Sequence, residues 1–188
     1  RQARVAVLDL KGTIMMGNEG ALPGQMRNAL TPGPVVKALK AVENDKSIKG
    51  LVLRIDSPGG SALASDLMWR QIRRVAKKKP VVASIGNVAA SGGYYLAVAC
   101  DEILAHPESI TGSIGVIAGK VTGGDLIDKL GVRIDAVTDQ HGSAFASLTT
   151  ALSDEEMINL RKDIRSFYRR FIQRVAAGRK ITRRRVNR

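Results

Sequence analysis

A serine between small residues, and a glycine pair 31 positions before it, carry the chemistry of this sequence. Ser91 stands in Asn87-Val88-Ala89-Ala90-Ser91-Gly92-Gly93-Tyr94-Tyr95, and the earlier turn reads Ser57-Pro58-Gly59-Gly60. The first stretch offers a hydroxyl that Ala90 and Gly92 leave accessible. The second offers backbone N–H groups that no side chain blocks, at the start of a helix, where donors lack intrahelical partners and negative charge is favoured. A nucleophile beside an oxyanion hole is the apparatus of acyl transfer, and peptide hydrolysis is the reaction it fits first. Ser91 is the candidate nucleophile. Gly60 is the candidate first oxyanion donor, with Gly59 shaping the turn, and the N–H of Gly92 is the second. Singly, each motif has a plainer explanation, a turn that needs positive φ or a serine that caps a helix. Two strand–turn–helix units with complementary chemistry favour the catalytic one.

The elements that must position these groups follow from hydrophobic period. Residues 5–10, 51–55, 81–85, 102–105 and 132–137 read as strands, and 110–117 alternates into strand despite two glycines. Between them, Pro34 opens a helix carrying Val35, Val36, Leu39, Ala41 and Val42, which Gly50 stops. Residues 62–76 form a second helix with Leu63, Leu67, Ile72 and Val75 as its buried positions, and a third begins near Ser91. A short helix covers 126–130. Ser153 with Glu156 is a capping box that opens a long helix striped by Met157, Leu160, Ile164, Phe167, Phe171 and Val175, with Gly178 as its C-cap. Residues 11–33 have no sustained period and read as a loop over the site or toward a partner. Met15, Met16 and Met26 there offer adaptable apolar surface for a peptide, whereas Met68 reads as core. Asp56 is expected to cap the helix after the glycine turn, and Tyr94 and Tyr95 to pack beneath the serine helix. Alternating strands and helices predict an α/β fold with a largely parallel sheet.

Composition bounds the rest. The 188 residues suffice for one domain with a sizeable core, built mainly from Val, Ile, Leu and Ala because only three Phe, three Tyr and one Trp are present. A lone cysteine, Cys100, excludes an internal disulfide and a cysteine-rich metal site. Of the net charge of +13, residues 161–188 hold most, with 12 Lys and Arg against Asp163 alone. This basic helix and tail reads as a solvated face; an anionic membrane surface is its alternative partner, and no nucleic-acid partner is expected. No run approaches the ~20 apolar residues of a membrane span. Residues 1–188 are expected to be a single peptidase-like domain cut from a longer chain.

Four stretches together resemble a known family: Arg54-Ile55-Asp56-Ser57-Pro58-Gly59-Gly60, Ala89-Ala90-Ser91-Gly92-Gly93-Tyr94-Tyr95-Leu96-Ala97, Ile110-Thr111-Gly112-Ser113-Ile114-Gly115-Val116 and Phe171-Ile172-Gln173-Arg174-Val175-Ala176-Ala177-Gly178-Arg179. In this order they look like the signal peptide peptidase A (SppA) and SohB serine peptidases. The resemblance implies a ClpP/crotonase-like spiral fold and a Ser/Lys dyad, with Ser91 as nucleophile, Gly60 and Gly92 as oxyanion donors and Ser113 orienting the lysine. It also implies a homo-oligomer, released signal peptides as substrate, and membrane association outside the bacterial cytoplasm, on the periplasmic or extracytoplasmic side.

The pattern departs from the family at the base. Members with the whole dyad in one domain carry the lysine downstream of the serine in a Gly-Xaa-Tyr-Lys-like stretch. Here that region reads Asp139-Gln140-His141-Gly142-Ser143-Ala144-Phe145-Ala146-Ser147, without lysine. The closing Gly-Leu-Val-Asp-like segment is missing too. The lysine-less stretch is similar to the C-terminal half of tandem SppA proteins, whose lysine lies in the other half, so the base is expected from a companion domain, while the missing closing segment reads as a truncated C-terminus. Within the chain, Lys120 is the candidate lysine nearest in sequence. Lys129 and His141 are weaker alternatives, read as exposed. No cofactor and no metal are called for. Two rival classes remain open: a crotonase-type acyl-CoA enzyme, whose oxyanion donors hold a thioester enolate, and a non-catalytic assembly or lipid-surface module.

Overall fold

A computed structural model describes residues 3–17, 29–132, 134, 147 and 149–187. The chain divides into two compact units. One comprises Arg1–Gly115 with Tyr168–Arg188, the other Val116–Phe167.

The first unit is built on a five-stranded sheet. Strands β1 (Arg4–Lys11), β4 (Ile48–Ser57), β5 (Val81–Ala90) and β6 (Glu102–Leu104) lie in that order, and β7 (Ile110–Gly112) continues alongside β5. Every pairing is parallel. The period of two is plain in β4 and β5. Leu51, Leu53 and Ile55, with Val81, Ala83 and Ile85, turn to one face and are buried. Helices α1 (Pro32–Asn44) and α2 (Ala62–Ala76) supply Leu39, Met68, Ile72 and Val75 to the same core. Parallel strands need such crossovers, which explains the alternation of elements in the sequence. The fold is the expected α/β class, and Met68 is core as read.

Several local expectations are corrected. Leu63 and Leu67 are 49% and 39% exposed. The buried stripe of α2 runs Ala64, Met68, Ile72 and Val75, and the two leucines sit one position off it. The stretch expected to be loop holds two strands, β2 (Thr13–Ile14) and β3 (Ala29–Leu30), which pair in parallel. Two-residue strands are too short to show a period. Strand β7 stops at Gly112 because Gly112 and Ser113 both take positive φ, 91° and 50°. Of the strand expected over 132–137, most residues lie outside those described.

In the second unit, α4 (Gly124–Lys129) is the short helix expected. Helix α5 (Asp154–Gly178) opens on the predicted capping box: the Ser153 N–H donates to Glu156 Oε2 at 2.9 Å and the Glu156 N–H to Ser153 Oγ at 3.2 Å. The part of α5 from Tyr168 onward belongs to the first unit and buries Phe171, Ile172, Val175 and Ala176. Gly178 is the last helical residue, and its smallness serves packing rather than a left-handed cap. A methyl group there would lie 2.1 Å from the Val98 carbonyl oxygen, and the left-handed residue is Lys180 (φ 54°). A last short helix, α6, spans Arg183–Val186.

Candidate active site

Strand β4 delivers its last residue, Ser57, fully buried. The Ser57 hydroxyl donates to the Gly12 carbonyl at 2.6 Å and accepts the Gly59 N–H at 3.2 Å, which pins the start of the turn. Gly59 and Gly60 then take φ of 99° and 143°, where a side chain would be strained. Ile14 grips the turn from β2. Its N–H donates to the Gly59 carbonyl and its carbonyl accepts the Ser61 N–H, both at 2.8 Å. In this parallel bridge the N–H of Gly60 faces away from Ile14, and it meets no acceptor among the described residues. Ser61 caps α2 by accepting the Ala64 N–H.

Strand β5 runs into Ser91 and α3 (Gly92–Ala97) leaves it. Ser91 has φ 49° and ψ −116°, a conformation that costs an L-residue on the order of 1–3 kcal/mol and that surrounding structure must impose. Two main-chain bonds impose it: the Ser91 N–H donates to the Gly112 carbonyl at 2.8 Å, and the Ser91 carbonyl accepts the Tyr95 N–H at 2.9 Å. The plainer reading of Ser91 as a helix cap fails, because its hydroxyl makes no capping hydrogen bond. Gly92 begins the helix, and its N–H meets no acceptor among the described residues either.

The turn and the serine elbow touch. A methyl group on Gly59 would lie 2.6 Å from the Gly92 nitrogen and 2.8 Å from Ser91 Cβ. One on Gly92 would lie 2.5 Å from Ser65 Oγ, and one on Gly93 2.5 Å from the Ser57 carbonyl oxygen. Small residues are thus demanded by backbone approach at Gly59 and Gly93 and by the Ser65 hydroxyl at Gly92. Ser113 arrives beside them, since Gly112, whose carbonyl holds the Ser91 N–H, pairs with Ala90 in the β5–β7 register.

Ser91, Gly60, Gly92 and Ser113 therefore share one unit. Lys120 belongs to the second, where its ammonium donates to the Thr150 carbonyl. Lys129 ends α4 in that unit. His141 and Met26 lie outside the described residues. Asp56 does not cap α2: its Oδ1 accepts the Val88 N–H at 3.2 Å, a donor that the bulge in the β4–β5 pairing sets free. Cys100, the lone cysteine, is buried, and burial first of all pushes its thiol up to about 12, which leaves it unreactive.

Sequence reasoning missed the supports of this site. Ser57 lay within a quoted motif without a role, and Ile14 gave no signal, since its contribution is main chain. Tyr95 was expected beneath the helix, but its partner was not: its hydroxyl donates to Asp66 Oδ1 at 2.7 Å inside the core.

Comparison with known proteins identifies the family and the fold. Peptidase family S49 matches residues 73–188, and the Clp protease family matches residues 19–111. The serine protease SPPA of Arabidopsis thaliana chloroplasts is 37% identical over 82% of this chain and 23% of its own length. Protease 4 of Haemophilus influenzae is 34% identical over 98% of this chain and 29% of its own length. The chain thus spans less than a third of either relative. Among solved structures, a ClpP1 mutant of Listeria monocytogenes superposes with a TM-score of 0.59 at 15% identity, covering 96% of this chain and 76% of that one, which establishes a ClpP-like fold. With the family match reaching across Ser91 and Ser113, and relatives named SPPA and protease 4 aligned over most of its residues, the chain belongs to peptidase family S49, the family of the signal peptide peptidases A.

Proposed function

We propose that the chain is the serine-bearing part of a serine endopeptidase that cleaves released signal peptides through a Ser/Lys dyad whose lysine comes from a companion domain. The observation that carries this reading is a strained Ser91 whose hydroxyl, like the N–H groups of Gly60 and Gly92, meets no hydrogen-bond partner among the described residues, with the Gly59 turn packed on Ser91 and Gly92. Ser91 Oγ attacks the scissile carbonyl carbon while its proton passes to a neutral lysine. The oxyanion that forms accepts the N–H groups of Gly60 and Gly92. The intermediate collapses, and the lysine returns the proton to the departing amine. Water then repeats the sequence on the acyl-enzyme. Ser113 orients the lysine, which must shed its proton well below its free pKa of about 10.4.

A base from outside the site's own unit is consistent with how two of that unit's lysines are used. Lys78 pairs with Glu43, and Lys79 donates to the carbonyls of Val42 and Asp45, before β5 begins rather than where it ends. Apolar substrate is favoured by Met16, Leu63 and Leu67, 45%, 49% and 39% exposed, which follow closely in sequence on the Ile14–Gly60 bridge and the glycine turn. Among the described residues no helix is long and apolar enough to cross a membrane. Membrane association on the extracytoplasmic side and assembly with further copies enter this proposal through the family alone. The acyl-CoA reading would use the same donors but leaves the strain and free hydroxyl of Ser91 without a task.

The test is hydrolysis of a synthetic signal peptide by this chain alone and by the full-length protein. The proposal expects turnover only in the full-length protein, abolished by Ser91→Ala. Turnover by this chain alone, lost on Lys120→Ala, would overturn the split dyad. Acyl-CoA binding without peptide turnover would overturn the peptidase reading.

A further inference from the structure

The two oxyanion donors stand at the starts of different helices, Gly60 just before α2 and Gly92 at the first residue of α3. Their aim at one point depends on how those helices are held against each other. Asp66, on α2 and 3% exposed, makes the polar link: its Oδ1 accepts the Tyr95 hydroxyl from α3 at 2.7 Å. Tyr95 is also the residue whose N–H holds the Ser91 carbonyl, so the link ends one residue-contact from the nucleophile.

We infer that Asp66 is a positioning residue for the oxyanion hole, its carboxylate locking α3 to α2 through the Tyr95 hydroxyl and so setting the aim of the Gly60 and Gly92 N–H groups. The inference rests on the peptidase reading above. For packing alone an apolar side chain of similar volume would serve as well or better. Instead this carboxylate is buried and compensated from two helices, by Arg70 Nε of α2 at 2.7 Å and by Arg174 and Arg170 of α5 at 3.5 and 3.8 Å. Burial opposes its ionisation, and the Tyr95 hydroxyl with Arg70 and Arg174 outweighs that, holding the carboxyl below the ordinary aspartate range. The surrounding aromatic contacts are less directional. Trp69 meets Tyr95 edge-on at 6.3 Å, Phe171 lies 5.0 Å from Tyr95, and Arg174 stacks 3.7 Å over Trp69. Ring contacts tolerate a slide that a buried, charge-assisted hydrogen bond does not.

The experiment uses the full-length protein and measures kcat, KM and Tm on a signal peptide for Tyr95→Phe, Asp66→Ala, Asp66→Asn and Ser91→Ala. Tyr95→Phe and Asp66→Ala are expected to lower kcat about 10- to 100-fold with KM nearly unchanged, as small misalignments do. Their combination should be no worse than the more severe single change, and Asp66→Asn, which still offers a carbonyl to Tyr95, should recover part of the loss. A Tyr95→Phe protein with wild-type kcat and only a lower Tm would overturn the inference and leave a packing role. Should Asp66→Ala not fold, Tyr95→Phe, which removes a single oxygen atom, decides alone. Ser91→Ala separates the two levels: inactive Ser91→Ala with fully active Tyr95→Phe overturns the positioning role only, whereas active Ser91→Ala removes the peptidase reading and this inference with it.

Discussion

At the scale of residues, the site is a set of backbone positions more than a set of side chains. Gly60 illustrates it. Its N–H is offered by the bridge to Ile14, and a methyl group there would lie 2.1 Å from the Ile14 carbonyl oxygen. Gly60→Ala must shift the turn and misdirect the donor, so kcat on peptide should fall by about 10²–10³, the usual consequence of losing one oxyanion donor. Wild-type kcat in that variant would remove Gly60 from the hole. Gly59→Ala is different in kind. Its methyl group would meet the Gly92 nitrogen and Ser91 Cβ, so the variant should lose stability as well as activity, read as a lower Tm. The pattern of small residues marked Ser91, Gly60 and Gly92 as candidates in the sequence, because close packing around a turn leaves a compositional trace. The strain at Ser91 and the Asp66–Tyr95 bond left none, since one is a dihedral angle and the other joins two helices 29 residues apart.

At the scale of elements, burial period and capping chemistry were readable, and tertiary choice was not. The Ser153–Glu156 box came out as expected because it obeys a local rule, and the apolar runs 51–55 and 81–85 lie within the longer strands β4 and β5. The face of α2 did not. Ile72 and Val75 decide which stripe is buried, and Leu63 and Leu67 fall beside it. One ionic contact joins elements in a way that pH can test. Glu43 of α1 is buried and accepts Lys78 Nζ at 2.6 Å and Gln71 Nε2 of α2 at 2.7 Å, with Arg74 at 3.6 Å. The Lys78 hydrogen bond first, then Gln71 and the charges of Arg74 and Lys78, hold its carboxyl below the ordinary glutamate range against the opposing effect of burial. A carboxyl depressed in the folded state stabilises above its unfolded pKa, and that gain is lost as pH falls through its folded pKa. The wild-type advantage in Tm over Glu43→Gln should therefore be full near neutrality and shrink below the ordinary glutamate value of about 4.3. A difference that stays constant through that range would show that the Glu43 charge does not link α1 to α2.

At the scale of the whole molecule, the proposed reaction needs more than the residues gathered at the candidate site. The parallel sheet and its crossovers through α1 and α2 were legible because those strand–helix alternations are local; the division into two compact units was not, since no composition shift marks Gly115 or Tyr168. Ser91, Gly60, Gly92 and Ser113, the candidate nucleophile, oxyanion donors and orienting serine, gather in a single unit, and the proposed base comes from a companion domain. The most direct measurement is labelling of the full-length protein with a serine-reactive phosphonate, read residue by residue by mass spectrometry. The account predicts one adduct, on Ser91, strongly slowed by Gly60→Ala and absent in Ser91→Ala. A full-length protein that hydrolyses peptide while Ser91 stays unlabelled, or that remains active as Ser91→Ala, would contradict it.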